Sequence, residues 1–317
     1  MTPAISVIIP NRNKGMLIHA TIDSVLSQTA LPEIIVVDDA STDISRDFVR
    51  ALPQRHTGVR AILLDTPRGG SHCRNQGLAI ARGEFVIFLD SDDLFSPTCC
   101  AGRIAAATAH PEYDLWVFPM RVFRENPDIT ISEWIPDDHT DHLTAFLSHR
   151  LPWSIMQPLW RRSVLESLGG FDESFERLQD PELHTRAILA GARVRCFPKA
   201  EPDCYYRIAE CRTTIDPAVA AKQHAAASIH YYKTFADRIG ERLPQLSGVL
   251  QSAIARTIND WRANKISTAD LHVMTSDLIG ICRIPRHQRI LSGYVTMSLA
   301  IPFHPPGIGT VMRKLLR

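Results

Sequence analysis

Asp90, Asp92 and Asp93 crowd three carboxylates into the four positions Asp90-Ser91-Asp92-Asp93, directly after the apolar run Phe85-Val86-Ile87-Phe88-Leu89. Unpaired charge at the end of a buried strand is costly, whereas a hard divalent cation neutralises carboxylates and takes oxygen ligands. Such a cation can bridge to a diphosphate and stabilise it as it leaves. A polar turn that caps the helix after Pro97 is the plainer reading of the same residues. A second acidic cluster, Asp38-Asp39-Ala40-Ser41-Thr42-Asp43, follows the apolar run Ile34 to Val37. A carboxylate at that strand end can accept hydrogen bonds from a base or ribose, and a helix cap by Ser41 or Thr42 explains part of the pattern without a ligand.

The first strand runs into Asn11-Arg12-Asn13-Lys14-Gly15. It lacks the G-x-G-x-x-G turn that seats a dinucleotide pyrophosphate on a helix N-terminus, and the Walker pattern is absent as well. A nucleotide site here must hold its diphosphate by other means, and a metal ion is the usual substitute for a phosphate-cradling loop.

The elements that would position these residues alternate. Ile5 to Pro10 is a β-branched run, after which Leu17, Ile18, Ile22, Val25 and Leu26 recur at helical spacing. A strand at Ile34 to Val37 precedes a helix with Ile44, Phe48, Val49 and Leu52 on one face, and a strand follows at Arg60 to Leu64. A helix over Ser71 to Ala81 feeds Phe85 to Leu89, which is apolar on both faces and therefore central in a parallel sheet. Both acidic clusters fall beyond the carboxyl ends of strands, where open α/β sheets bind ligands.

Next come a helix from Ala101 to Ala109, a strand around Leu115 to Phe123, and a polar stretch with His139 and His142 that reads as a mobile or substrate-facing insertion. A helix from Ser163 to Leu168 is closed by Gly169-Gly170. Asp180-Pro181 opens another that ends near Gly191, with aspartate as N-cap and proline at N1. From Pro217 to Leu291 the pattern is helical, with breaks near Gly240, Pro244 and Gly280.

The chain of 317 residues carries 35 basic against 34 acidic side chains, which excludes a wholesale nucleic-acid binder. Met1 to Ala4 lacks the pattern of a signal peptide, and no apolar run approaches the roughly 20 residues that span a bilayer. Seven cysteines without a paired framework suit a reducing compartment, and the expectation is a soluble, cytoplasmic protein. Cys196, Cys204 and Cys211 are spaced too irregularly for zinc and read as ordinary buried cysteines. The last segment, Ile301 to Arg317, interleaves Val311, Met312, Leu315 and Leu316 with Arg313, Lys314 and Arg317. Both a solvated tail and peripheral contact with the anionic inner face of a cell membrane remain open for it.

Val7-Ile8-Ile9-Pro10-Asn11, Val36-Val37-Asp38-Asp39-Ala40-Ser41-Thr42-Asp43 and Arg74-Asn75-Gln76-Gly77 occur in order. Gly83-Glu84-Phe85 to Asp93, Leu168-Gly169-Gly170-Phe171-Asp172-Glu173 and Gln179-Asp180 complete the series. Together, over roughly residues 4 to 210, they resemble family 2 glycosyltransferases with the GT-A fold. The resemblance implies an α/β class, a mixed, mostly parallel sheet flanked by helices, with a helical C-terminal region. It implies a GT-A domain over 1–212, split near 98 into a nucleotide-sugar-binding half and an acceptor-binding half, then a helical region over 213–317.

It further implies that Asp39 contacts the nucleobase, that Asp90 and Asp92 form the D-x-D pair with Ser91 between them, and that Asp92 or Asp93 lies beside a divalent cation, Mn2+ or Mg2+. Pro10, Asn11 and Arg12 would line the nucleotide pocket, and Arg68 or Arg74 would approach the donor. The base that deprotonates an acceptor hydroxyl matches Asp180; a cap and a base are compatible roles, although capped N–H donors lower basicity. Trp153 and Gln179 are the acceptor-side candidates, and Trp160 shares with Trp153 the alternatives of sugar stacking and core packing.

Two departures stand out: Gln179 replaces the usual glutamate, and Tyr205-Tyr206-Arg207-Ile208-Ala209 lacks the histidine that many relatives place after the arginine. The implied activity is inverting transfer of a sugar from a nucleotide diphosphate donor to a glycan, glycolipid or other hydroxyl acceptor, in bacterial-type polysaccharide, lipopolysaccharide or glycoconjugate synthesis. The rivals are a nucleotide-sugar-binding scaffold without catalysis and a sugar nucleotidyltransferase, which needs a basic, glycine-rich loop of which Asn11 to Gly15 is a poor version.

Overall fold

A computed structural model describes residues 4–208 and 216–300. In chain order the first elements are β1 (Ile5–Asn11), α1 (Leu17–Leu26), β2 (Glu33–Asp38), α2 (Ser45–Arg55), β3 (Val59–Leu63), α3 (Gly70–Ile80) and β4 (Phe85–Phe88). They continue with β5 (Leu94–Phe95), α4 (Cys99–Ala109), β6 (Leu115–Val117), β7 (Met120–Phe123), β8 (Ser132–Trp134), α5 (His142–Leu147), β9 (Pro158–Arg161) and α6 (Arg162–Ser167). Then follow α7 (Gln179–Leu189), β10 (Val194–Cys196), β11 (Cys204–Arg207), α8 (Pro217–Ala236), α9 (Leu243–Arg262), α10 (Thr268–Gly280) and α11 (Pro285–Ala300). Residues 4–140, 152–174 and 179–208 form one compact unit, and 141–151, 175–178 and 216–300 form a second.

The first unit is built on a seven-stranded sheet in the order β10-β6-β9-β4-β1-β2-β3. β1 pairs in parallel with β2 and β4, while β9 is antiparallel to β4 and β6, so the sheet is mixed. β4 is apolar at every position, and β1 and β2 are apolar from Val7 to Pro10 and from Ile34 to Val37, because both faces are covered. Val7, Ile9, Val36 and Ile87 pack on one side with residues of α1, α2 and α4. Ile8, Val37, Val86 and Phe88 pack on the other with residues of α3, α6 and α7. A smaller sheet, β5-β11-β7-β8, adjoins it.

Two glycines of the ordered motifs are explained by close approach. A Cβ on Gly77 would lie 2.4 Å from Cγ2 of Ile8, where α3 crosses β1, and one on Gly83 would meet backbone atoms of Ser6, Ile5 and Phe85 at 2.5 to 2.8 Å.

Several expectations are corrected. The single strand around Leu115 to Phe123 is two strands, β6 and β7, in different sheets, separated at Phe118-Pro119. Ile44 precedes α2 and is 59% exposed, so it is not on that helix's buried face. The N–H of Ser45 is capped by Asp43 Oδ1 and not by Ser41 or Thr42; Ser41 Oγ instead accepts from the Asn13 N–H. α7 begins at Gln179, so Asp180 lies in its first turn and not at the cap. The polar insertion contributes β8, and its Asp138 accepts from the Cys196 N–H at 3.0 Å.

The second unit comprises α5 and α8 to α11, joined before α9 by a 3-10 turn at Gly240–Arg242. Asp216 caps α8 with Pro217 in its first turn, and Ser267 caps α10. Among the described residues no helix is long and apolar enough to cross a membrane, and Cys73, Cys99, Cys100, Cys196, Cys204 and Cys282 are buried thiols outside any disulfide. Cys211 and the basic tail with Arg313, Lys314 and Arg317 lie outside the described residues.

Candidate active site

Strand order reverses beside β1: the chain proceeds outward through β2 and β3, then returns to place β4 on the other side of β1. Such a switch point leaves a crevice beyond the carboxyl ends of the strands. A cavity of about 380 Å³ occupies it. Of the residues expected there, Pro10, Asn11, Arg12 and Asp39 line one side, and Asp90, Ser91 and Asp92 the other.

The two adjacent aspartates after β2 divide their labour. Asp38 is buried and accepts from Asn11 Nδ2 at 2.8 Å, the Ser41 N–H at 3.0 Å and Arg46 Nη1 at 2.7 Å, which fixes the loop. Asp39 faces the cavity, and its two oxygens accept the N–H groups of Arg68 at 2.6 Å and Gly69 at 3.0 Å. Gly69, at φ +90°, supplies a turn in the left-handed region that favours glycine. Arg68 therefore meets the site through its backbone, and its side chain is not in the cavity lining. Arg12 lies 3.5 Å from Asp39.

The acidic run after β4 is similarly split. Asp92 is 2% exposed and takes a charge-assisted hydrogen bond of 2.6 Å from Lys14 Nζ. Asp90, half-buried, accepts from Arg74 Nη2 at 2.7 Å. Asp93 is not part of the lining, in contrast to the metal-side expectation: its Oδ1 accepts the Arg207 N–H at 2.7 Å, while Arg207 Nε donates to the Asp92 carbonyl at 2.9 Å. Those contacts staple the acidic turn to β11.

Arg74 connects this turn to α7. Besides Asp90 it donates from Nη1 to Gln179 Oε1 at 2.9 Å, and its guanidinium lies 5.4 Å from the Phe171 ring centroid. Asp180, next along the chain, is outside the cavity lining and half-buried. Burial raises the pKa of its carboxyl, the cation of Arg74 opposes that rise, and the negative Asp90 adds to it.

Trp153 is 1% exposed and packs edge-on against His184, so it offers no open face to a sugar and is corrected to a core residue. Trp160, fully buried, stacks on the same imidazole with ring centroids 5.4 Å apart. Burial pushes the His184 pKa down to about 3, which keeps the ring neutral.

Lys14, Gly69, Gly70 and Cys73 also line the cavity, and the sequence reading did not single them out as site residues. The signal for Lys14 was its place as a second cation in the loop after β1. Gly70 had a spatial signal only: its built Cβ would lie 3.0 Å from Arg74 Nη1 and 3.4 Å from Gln179 Oε1. The Cys73 thiol is pushed up to about 12 by burial and the negative Asp39, so it remains a thiol.

The model of the family described as Glycosyl transferase family 2 matches residues 6–166. The succinoglycan biosynthesis protein ExoO of Rhizobium meliloti (strain 1021) is 29% identical over 214 residues, which cover 62% of this chain and 59% of that protein. ExoU of the same organism is 25% identical over 204 residues, 60% of this chain and 58% of that one. The chain thus spans less than two thirds of the length of these curated relatives. Among solved structures, S. aureus TarS 1-349 in complex with UDP superposes with a TM-score of 0.68 at 17% identity, covering 98% of this chain and 90% of that one. The mannosyltransferase PcManGT from Pyrobaculum calidifontis, in complex with GDP-Man and Mn2+, does so at 0.51 and 18% identity, covering 99% and 87%.

Proposed function

This chain belongs to glycosyl transferase family 2 and has the GT-A fold, and from that premise we propose that it transfers a sugar, with inversion, from a nucleotide diphosphate sugar to a hydroxyl acceptor during polysaccharide, lipopolysaccharide or glycoconjugate synthesis. The observation that carries this reading is the placement of Asp39, Asp90 and Asp92 around one cavity, with Asp180 tied to it through Gln179 and Arg74. The relatives point the same way: TarS was solved with UDP, and PcManGT with GDP-Man and Mn2+.

Asp90 and Asp92 bring two carboxylates to the cavity, and among the described residues no third acidic, histidine or cysteine side chain completes a cluster with them. Mg2+ and related hard ions are commonly held by one or two carboxylates, with phosphate oxygens and water filling the remaining positions. The residues fit such an ion, which Asp92 and Asp90 would hold. When bound, it neutralises charge on the departing diphosphate.

The chain's own residues do the rest. Asp39, anchored by two backbone N–H groups, presents its carboxylate edge to the base, and Pro10, Asn11 and Arg12 form the wall against the nucleoside. Asp180 accepts the proton of the acceptor hydroxyl as that oxygen bonds to the anomeric carbon. The bond from that carbon to the diphosphate oxygen breaks on the opposite face, which inverts the centre. A half-buried carboxylate with a raised pKa is a stronger base than an exposed aspartate, and the cation of Arg74 opposes the rise that burial causes at Asp180.

The test is mass spectrometry of products after incubation with a panel of nucleotide sugars, Mn2+ or Mg2+, and glycan and glycolipid acceptors. A product one glycosyl unit heavier than its acceptor, with release of nucleoside diphosphate, is expected. Donor binding without transfer would mark a scaffold, and pyrophosphate release a nucleotidyltransferase; either would overturn the proposal.

A further inference from the structure

The second unit holds a separate cavity of about 230 Å³, lined by the first turns of α8, by α9 and its C-terminal turn, and by Arg177. Its charges are unbalanced: Arg177, Arg256 and Lys265 face it with Asp260 as the one carboxylate in the lining. Asp260 does not saturate the cations. It lies 3.9 Å from Arg256 Nε and 3.6 Å from Lys265 Nζ, both beyond hydrogen-bond length. Arg177 reaches only a neutral group on its Nη2, Gln223 Oε1 at 3.3 Å.

His224 also lines the cavity, and its Nδ1 is buried with no hydrogen-bond partner in the protein. The His149 ring lies edge-on to it at 6.2 Å. Burial and then Arg256 push both imidazoles down to about 4, and His149 and Arg177 press further on His224, so both rings are neutral at pH 7. Three cations and one carboxylate, with the His224 side chain beside them, surround a space that fits a tetrahedral oxyanion. Asp216 is committed elsewhere, to the N–H of Ala218. The positive end of α8 adds to the field.

We infer that this cavity binds a phosphate group, clasped by Arg177, Arg256 and Lys265, with the His224 ring in its wall. Guanidinium pairs with phosphate oxygens through parallel N–H donors, and the ammonium adds a compact charge. The site is distinct from the cavity at the carboxyl ends of β1, β2 and β4, shares no residue with it, and does not depend on the transferase reading. Its phosphate has two chemical sources: free inorganic phosphate, or a phosphate ester carried by a larger ligand.

The test uses the full chain with isotopically labelled histidine, followed by NMR at pH 7.5 during titration with inorganic phosphate and, separately, with dimethyl phosphate. Sodium chloride at matched ionic strength is the control. Saturable shifts of the His224 and His149 resonances are expected with phosphate and not with chloride. Saturation by both compounds assigns the site to a phosphate ester, and saturation by inorganic phosphate alone assigns it to the free ion. In Arg256→Gln/Lys265→Gln, whose parent side chains are more than half exposed, the apparent Kd should rise at least tenfold while the amide spectrum stays that of a folded chain. Shifts that are absent, that chloride reproduces, or that survive unchanged in the folded double variant would overturn the inference. If that variant does not fold, Arg177→Gln is titrated in its place, with the same outcomes.

Discussion

Arg74 donates to Asp90 at 2.7 Å from a side chain only 9% exposed, and the same guanidinium reaches the residue that precedes Asp180. One cation thus faces two carboxylates that belong to opposite ends of the proposed reaction, and it lowers the pKa of Asp180 against the effect of burial. Replacement by alanine should therefore do two things. Turnover should fall by about 10²-fold through lost positioning. The acidic limb of the pH–rate profile should also move to higher pH, because a carboxyl relieved of a nearby positive charge holds its proton more strongly. Arg74→Lys should return the limb toward its original pH without restoring the rate, since an ammonium lacks the guanidinium's fork. A limb that stays in place in Arg74→Ala would separate Arg74 from the base.

Asp92 and Lys14 form a close ion pair in the lining of the first cavity. A nucleoside diphosphate brought there without a cation meets the carboxylates of Asp90 and Asp92 at short range, and like charges repel strongly where water is scarce. Calorimetric affinity for the diphosphate should thus be at least tenfold higher in Mn2+ or Mg2+ than in chelator. Asp92→Ala should abolish that difference. Equal affinities with and without the metal would remove it from the proposal.

The glycine of Gly83-Glu84-Phe85 is held by geometry more than by backbone angles. Its built Cβ meets main-chain atoms of Ser6, Ile5 and Phe85, none of which can rotate away, while its N–H donates to Ser6 Oγ at 2.9 Å. Gly83→Ala is expected to cost about 1–3 kcal/mol, the range of overpacked positions. Urea denaturation would show it as a lower midpoint with an unchanged slope. A neutral result would mean that β1 and β4 separate more easily than their register suggests.

The strands and the acidic residues were legible because each obeys a local rule. A strand buried on both faces must be apolar throughout, as Phe85 to Phe88 and Ile34 to Val37 are, and carboxylates just past such strands mark where the sheet opens. What local rules do not encode was missed or mistaken. Periodicity says nothing of side-chain direction inside a turn, so Asp93, which turns to the Arg207 N–H, could not be told from Asp92. An arginine on α3 reads the same whether solvated or bound, and the role of Arg74 emerges only when α3, β4 and α7 are assembled. Leu115 to Phe123 is nearly continuous in apolar character, which conceals the passage from one sheet to the other at Pro119. Trp153 is large and amphipathic in any context, and only its packing on His184 assigns it to the core.

Asp180→Asn keeps the size of the side chain and removes its basicity, so it separates a structural role in the first turn of α7 from catalysis. If Asp180 is the base, turnover at saturating donor and acceptor should fall by roughly 10²- to 10⁴-fold while donor affinity holds. Stability should respond with a defined sign. The folded-state pKa of Asp180 is raised above its unfolded value, chiefly by burial, so the folded chain binds this proton more tightly. The stabilising contribution of that proton is complete below the unfolded pKa and is lost as pH rises through the folded one. Above the folded-state pKa the native carboxylate is a half-buried charge that disfavours folding, so in that range the neutral amide should leave the melting temperature equal to or above that of the parent. The advantage should vanish once the pH is below the ordinary carboxylate range. Gln179→Glu, by contrast, would place a second carboxylate on Arg74 and leave the base present, so only a modest change in turnover is expected. Sugar transfer by Asp180→Asn at the parent rate would remove Asp180 from the chemistry, whatever its effect on melting.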